Sequence, residues 1–184
     1  MNELRESGVD PLIIDAGDLF FSTANLNSTN KKSELYRAGA ILEGYNRVGC
    51  DAINVGHYEV LNGLSFLKSM EEKTEIPFLS ANLRDAQTNK LLFEPFRIIE
   101  KGLLKIGIVG VTDKLPDTTK SMIADNYVEA GNHYIDEASK QADIIVIMVN
   151  SDRKTYSELP TLFANADFIV TSGSTNMTRE NTRQ

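Results

Sequence analysis

The 184-residue sequence has one cysteine, Cys50, and two histidines, His57 and His133. A lone thiol forms no internal disulfide and no thiolate metal site of the usual kind, and it says little about redox compartment. Positive charge is scarce as well. Nineteen Lys and Arg stand against 26 Asp and Glu, the net charge is -7, and no basic cluster is denser than Lys31-Lys32. Nucleic acid is therefore not an expected partner, and anionic polymers should be repelled. Long apolar runs are missing: the longest, Ile144 to Val149, is strand-sized, whereas a membrane span needs roughly 18 residues. No membrane span is expected. Met1 to Ser7 is polar and acidic, unlike an export signal, although a mature or truncated chain would lack one in any case.

Apolar residues make up 41% of the chain and charged residues 24%, values of a folded globular protein rather than a disordered one. The length suits one well-cored domain and is too short for two ordinary ones, so residues 1–184 are read as a single unit. Short β-branched runs read as buried strands: Leu12–Ile14, Ala52–Val55, Lys105–Val111, Asp143–Val149 and Phe168–Val170. Their continuous apolar character predicts a sheet covered on both faces. Between them, Ser33–Val48, Leu61–Glu72, Asn126–Ala142 and Lys154–Ala164 read as amphipathic helices. In the first, Leu35, Ala38, Ile41, Leu42 and Tyr45 form one apolar stripe and Gly49 supplies the stop. Alternating strands and helices predict an α/β domain with largely parallel strands. Ile76–Asn82 should hold another short strand. Phe96–Ile99, separated from the next strand by Glu100-Lys101-Gly102, should form an antiparallel hairpin.

In such sheets ligands gather at the carboxyl ends of the strands. The residues there are Asp15-Ala16-Gly17-Asp18, Gly56-His57-Tyr58-Glu59, Ser80-Ala81-Asn82, Thr112-Asp113, Asn150-Ser151-Asp152 and Thr171-Ser172-Gly173-Ser174. Any one of them alone is ordinary turn and cap chemistry. As an ordered set they say more. The blocks Ile13–Phe20, Gly49–Gly63, Pro77–Leu83 and Lys105–Thr112 resemble, in order and interval, the calcineurin-like metallophosphoesterases, and among them the 5'-nucleotidases. The likeness runs from about Pro11 to about Thr175 and implies a layered metallophosphoesterase-type sheet with flanking helices.

The resemblance also implies a two-metal phosphoesterase site, in which a metal-bound hydroxide attacks a phosphorus polarised by both cations. The bridging carboxylate of that pattern falls on Asp18 and is present. The Gly-Asn-His-Glu block falls on Gly56-His57-Tyr58-Glu59, a late strand-end histidine falls on Asn150, and Gly-His-x-His falls on Ser172-Gly173-Ser174-Thr175. An opening Asp-x-His strand would lie within Met1–Asp10, which has neither histidine nor strand pattern. With two histidines in the whole chain, a standard two-metal site cannot be assembled.

The expectation is a catalytically impaired homologue that keeps its cleft for a nucleotide, another small phosphoester or a partner. The alternatives are a hydrolase with an altered single-metal site on Asp18, His57 and Asn150, and a fragment of a longer nucleotidase. The cofactor expected is one weakly bound divalent cation, manganese, zinc or calcium, or none. Against the metal reading, Asp18 would simply cap a turn and His57 would donate to a backbone carbonyl. Tyr58 reads as core or rim, Glu59 as a structural acceptor of loop amides, and Cys50 as a buried, inert thiol. Ser172–Thr175 is either a small anion nest or a plain turn. Truncation at both ends would leave open sheet edges that favour pairing with a second copy or another chain. The family's frequent export implies a periplasmic or other extracytoplasmic location.

Overall fold

The computed structural model describes residues 7–117 and 119–173. The expected absence of an opening strand in Met1–Asp10 therefore falls partly outside the described residues, as do Ser174 and Thr175. Within them the strands are β1 (Ile14–Asp15), β2 (Ala52–Asn54), β3 (Phe78–Leu79), β4 (Leu83–Asp85), β5 (Phe96–Lys101), β6 (Leu104–Thr112), β7 (Met122–Ala124), β8 (Ile144–Asn150) and β9 (Phe168–Ser172). The helices are α1 (Lys31–Val48), α2 (Leu64–Glu71), α3 (Tyr127–Ser139) and the single turn α4 (Leu159–Leu162).

Two sheets carry the architecture. β1, β2 and β3 form a parallel sheet in that order. The second has the order β5-β6-β8-β9, with β5 antiparallel to β6 and the rest parallel. They pack face to face through Ala16, Ala52 and Leu79 on one side and Ile106, Ile108, Val146 and Met148 on the other. The outer face of the first sheet, with Ile53, Val55 and Phe78, is covered by Ala38 and Leu42 of α1 and Leu67 and Met70 of α2. The outer face of the second, with Val109, Val111, Ile145, Ile147 and Val149, is covered by Ile135 and Ala138 of α3 and by Leu159. The continuous apolar runs of β6 and β8 thus have a simple cause. Odd-numbered side chains enter a helix-facing core and even-numbered ones enter the inter-sheet core, so neither face is polar. Ile108 and Ile147 are fully buried, each contributing about 2 kcal/mol by burial alone.

The sequence-derived elements mostly reappear. α1 ends where Gly49 adopts a left-handed conformation, φ 76°, and returns its N–H to the Tyr45 carbonyl at 3.0 Å, the stop its position called for. The hairpin between β5 and β6 turns at Gly102, φ 61°. α3 begins where the Asn126 side chain accepts from the N–H groups of Val128 and Glu129. Three readings need correction. The expected helix over Lys154–Ala164 is instead a 3-10 turn at Arg153–Thr155 followed by α4. Pro160 has no N–H to give to Tyr156 and its ring would clash there, so helix can only restart with Pro160 in its first turn. The expected helix over Leu61–Glu72 begins at Leu64, after Gly63 at φ 83°, and that over Asn126–Ala142 ends at Ser139. Finally, β4 and β7 pair antiparallel as a third, two-stranded sheet that no periodic pattern announced. No helix among the described residues is long and apolar enough to cross a membrane.

Candidate functional site at the carboxyl ends of the strands

The loops after β1 and β2 are locked to each other. Glu59, fully buried, accepts four backbone N–H groups: Asp18 at 2.7 Å and Gly56 at 2.9 Å on Oε2, Leu19 at 2.6 Å and Phe20 at 3.1 Å on Oε1. The favour is returned by Asp18, whose Oδ1 accepts the Tyr58 N–H at 2.8 Å. Burial, with the Asp18 carboxylate second, pushes the Glu59 carboxyl up to about 7 against the pull of those amides. The backbones touch directly here. A Cβ on Gly17, at φ 103°, would lie 2.9 Å from the Gly56 Cα, so position 17 needs glycine for both conformation and space. Asp18 itself sits at φ 62°, a conformation uncommon outside Gly, Asn and Asp.

Asn150, at the end of β8 and 2% exposed, joins this assembly to the second sheet. Its Oδ1 accepts the His57 N–H at 2.9 Å, and its Nδ2 donates to the Ser172 hydroxyl at 2.8 Å. Ser172 in turn donates to the Ala16 carbonyl at 2.6 Å, which also accepts from Asn54 at 2.9 Å. Ser172 is therefore committed to an internal bond rather than to an open anion nest. The His57 ring contacts the Lys114 carbonyl through Nδ1 at 3.2 Å. A carbonyl only accepts, so Nδ1 carries the hydrogen, which in the neutral ring leaves Nε2 as the acceptor.

These residues border a cavity of about 210 Å³ lined by Asp18, Ala24, His57, Tyr58, Asp113, Lys114, Asn150, Ser151, Asp152 and Gly173. The three residues singled out by sequence, Asp18, His57 and Asn150, thus line one cavity. Tyr58 stands at its rim, half-buried, and burial followed by the nearby Asp18 charge raises its phenol pKa. His133 lies elsewhere, on α3, beside a second cavity of about 430 Å³ with Arg84, Asp125 and Glu129. Lys114 and Ala24 were not foreseen. Asp113 and Asp152 stood in the sequence as strand-end residues, and that position was the only available signal for them.

The comparisons agree with this fold. A 5'-nucleotidase of Vibrio cholerae is 36% identical over 118 residues, 64% of this chain and 20% of the relative. In sequence the chain is similar to 5'-nucleotidases, and in fold to calcineurin-like phosphoesterases. Among solved structures, the sulfate thiohydrolase SoxB of Thermus thermophilus superposes with a TM-score of 0.74 at 20% identity, covering 92% of this chain and 31% of that one. A 5'-nucleotidase precursor of Thermus thermophilus gives 0.71 at 21% identity over 93% and 34%. The matched part of this chain spans about a fifth of the length of the curated relatives. No family model matches it.

Among the described residues, the donors at these strand ends do not fit the metal pair that the resemblance implies. Asn150 has its carboxamide oxygen on the His57 N–H and its nitrogen on Ser172, and one Asp18 oxygen is held by Tyr58. His57 is the only imidazole lining the cavity. Among the described residues no group of three or more His, Cys, Asp and Glu side chains is arranged to hold a metal. Cys50 offers nothing either, being buried with its thiol donating to the Ile13 and Ala52 carbonyls at 3.4 Å and pushed up to about 12 by burial.

Proposed function

We propose that this chain is a catalytically impaired member of the 5'-nucleotidase family, a single unit whose strand-end cavity binds a nucleotide or another small phosphoester, or a partner, without hydrolysing it by two-metal chemistry. The observation that carries this reading is the engagement of Asn150: a side chain placed where the family pattern has a metal-binding histidine spends both ends of its amide on protein groups. Nucleotides are the ligand class to test first, because the relatives include 5'-nucleotidases. The test is phosphate release from AMP and p-nitrophenyl phosphate with manganese, run beside calorimetric titration of AMP with and without the metal. Binding without turnover is expected. Manganese-dependent turnover that disappears in Asp18→Ala would overturn the reading.

One observation favours a second reading, an altered single-metal hydrolase. The Lys114 carbonyl holds His57 in the tautomer that leaves Nε2 as acceptor, which is how metal-binding histidines are commonly oriented, and Asp18 lines the same cavity. In the same proposal, sheet edges give the chain a route to self-association or to another chain: among the described residues β9 pairs with β8 alone, and Phe168 at its start is 59% exposed. Sedimentation across a range of concentrations checks this, and a strict monomer at the highest would refute it.

A further inference from the structure

The misfit between the metal pair and the donors has a structural counterpart. A chain of direct hydrogen bonds runs through the place where cations would join the strand ends. It starts at the His57 N–H after β2, passes through Asn150 of β8 and Ser172 of β9, and reaches the Ala16 carbonyl after β1. From Ala16 it continues through the Asn54 amide nitrogen, which also donates to the Val111 carbonyl of β6 at 3.0 Å. Five strands of two sheets are thereby tied without an ion. The backbone beside this chain of bonds is closely packed as well. A Cβ added to Gly56 would lie 2.8 Å from the Asn150 Nδ2, and one added to Gly173 would lie 1.8 Å from the Ser151 carbonyl oxygen.

We propose that Asn150 takes over the cross-linking role of a metal at these strand ends, so that the cleft holds its shape through direct hydrogen bonds and divalent cations do not stabilise the fold. This inference deepens the reading above, resting on the same misfit of donors. Three features make Asn150 suited to the role. Its amide supplies one acceptor and one donor in fixed opposition, matching a backbone N–H on one side and a hydroxyl on the other. At 2% exposure those bonds are shielded from competing water. An aspartate, ionised at neutral pH, could not donate to Ser172, whose hydroxyl hydrogen is already given to Ala16, without rearranging it.

The experiment is thermal unfolding of the full chain in EDTA and in excess manganese, zinc, calcium or magnesium. A cation held in a native site and present at a hundred times its dissociation constant would raise the melting temperature by about 5–10 °C in a domain of this size. The expected shift is below about 1 °C for every cation. Asn150→Asp, close in shape but lacking the donor, is expected to melt several degrees lower than the parent in EDTA, and Asn150→Leu lower still. If Leu prevents folding, the Asp variant carries the test. A rise of several degrees with a cation in the parent, or an Asp variant as stable as the parent in EDTA, would overturn the inference. Turnover assays bear only on the function reading; a cation-induced shift would sink this inference even in a chain that hydrolyses nothing.

Discussion

Gly110→Ala is the sharpest test of how the two sheets meet. Gly110 lies on the inter-sheet face of β6, opposite Asn54 and Leu79 of the first sheet. A Cβ built there would stand 2.5 Å from Asn54 Oδ1 and 2.9 Å from the Leu79 carbonyl oxygen. Ordinary contact between carbon and oxygen is about 3.3 Å or more, so the overlap is several tenths of an ångström against backbone as well as side chain. Either the sheets separate locally or Asn54 swings away. Overpacking of this kind costs about 1–3 kcal/mol. Displacing Asn54 also weakens its bonds to Ala16 at 2.9 Å and Val111 at 3.0 Å, about 1 kcal/mol each. The sum is about 4 kcal/mol, a fall in melting temperature of about 8–16 °C for a domain of this size. Urea denaturation of parent and variant, fitted with a common slope, measures it. A destabilisation under about 1 kcal/mol would refute the argument, since it would mean that the sheets are not pressed together at that point. The same contact accounts for Asn54 Oδ1, which is buried without a hydrogen-bond partner among the described residues: it lies against the one residue type that lets the sheets approach so closely.

Glu59→Gln is expected to cost about 3 kcal/mol at pH 8, because the new NH2 confronts two of four buried amide donors, with partial relief from removing a buried charge; chemical denaturation reads it, and an unchanged midpoint would contradict the lock described for the two loops. Cys50 is expected to resist iodoacetamide at pH 8 in the native chain and to react at once in urea, since burial keeps its thiol protonated, with a pKa of about 12; mass spectrometry of the alkylated fraction decides, and rapid native labelling would show that the thiol is not enclosed.

Much of the layered arrangement was legible because parallel strands covered on both faces leave an unmistakable trace, and Ile144 to Val149 is an uninterrupted example. What that trace cannot reveal is which core each face enters. The split into two sheets depends on long-range pairings, such as Ile53 with Phe78 and Ile147 with Ile169. β4 and β7 were invisible because three-residue strands carry less than two periods of alternation. In the site, Asp18, His57 and Asn150 could be named because each stands at a strand end where the resemblance places a metal ligand. Lys114 could not. Its backbone carbonyl meets the His57 ring after the chain turns beyond β6, and no side-chain pattern encodes that. The roles of Glu59 and Cys50 were readable from residue type and neighbourhood, since a carboxylate among loop amides and a thiol entering a strand each have few ways to be satisfied.

The segment carrying Leu19 and Phe20 has neither helix nor strand, yet each of its peptides is gripped from two sides. Their N–H groups go to Glu59, and their carbonyls accept from the Arg37 guanidinium of α1 at 3.0 and 2.7 Å. Two residues further on, Ser22 gives its N–H and hydroxyl to Glu34 of the same helix at 2.7 and 2.6 Å. Amides in an irregular stretch ordinarily trade hydrogen with solvent quickly. These should instead exchange as slowly as the strands beneath them, and any tilt of α1 would be felt at Asp18, the residue just before Leu19.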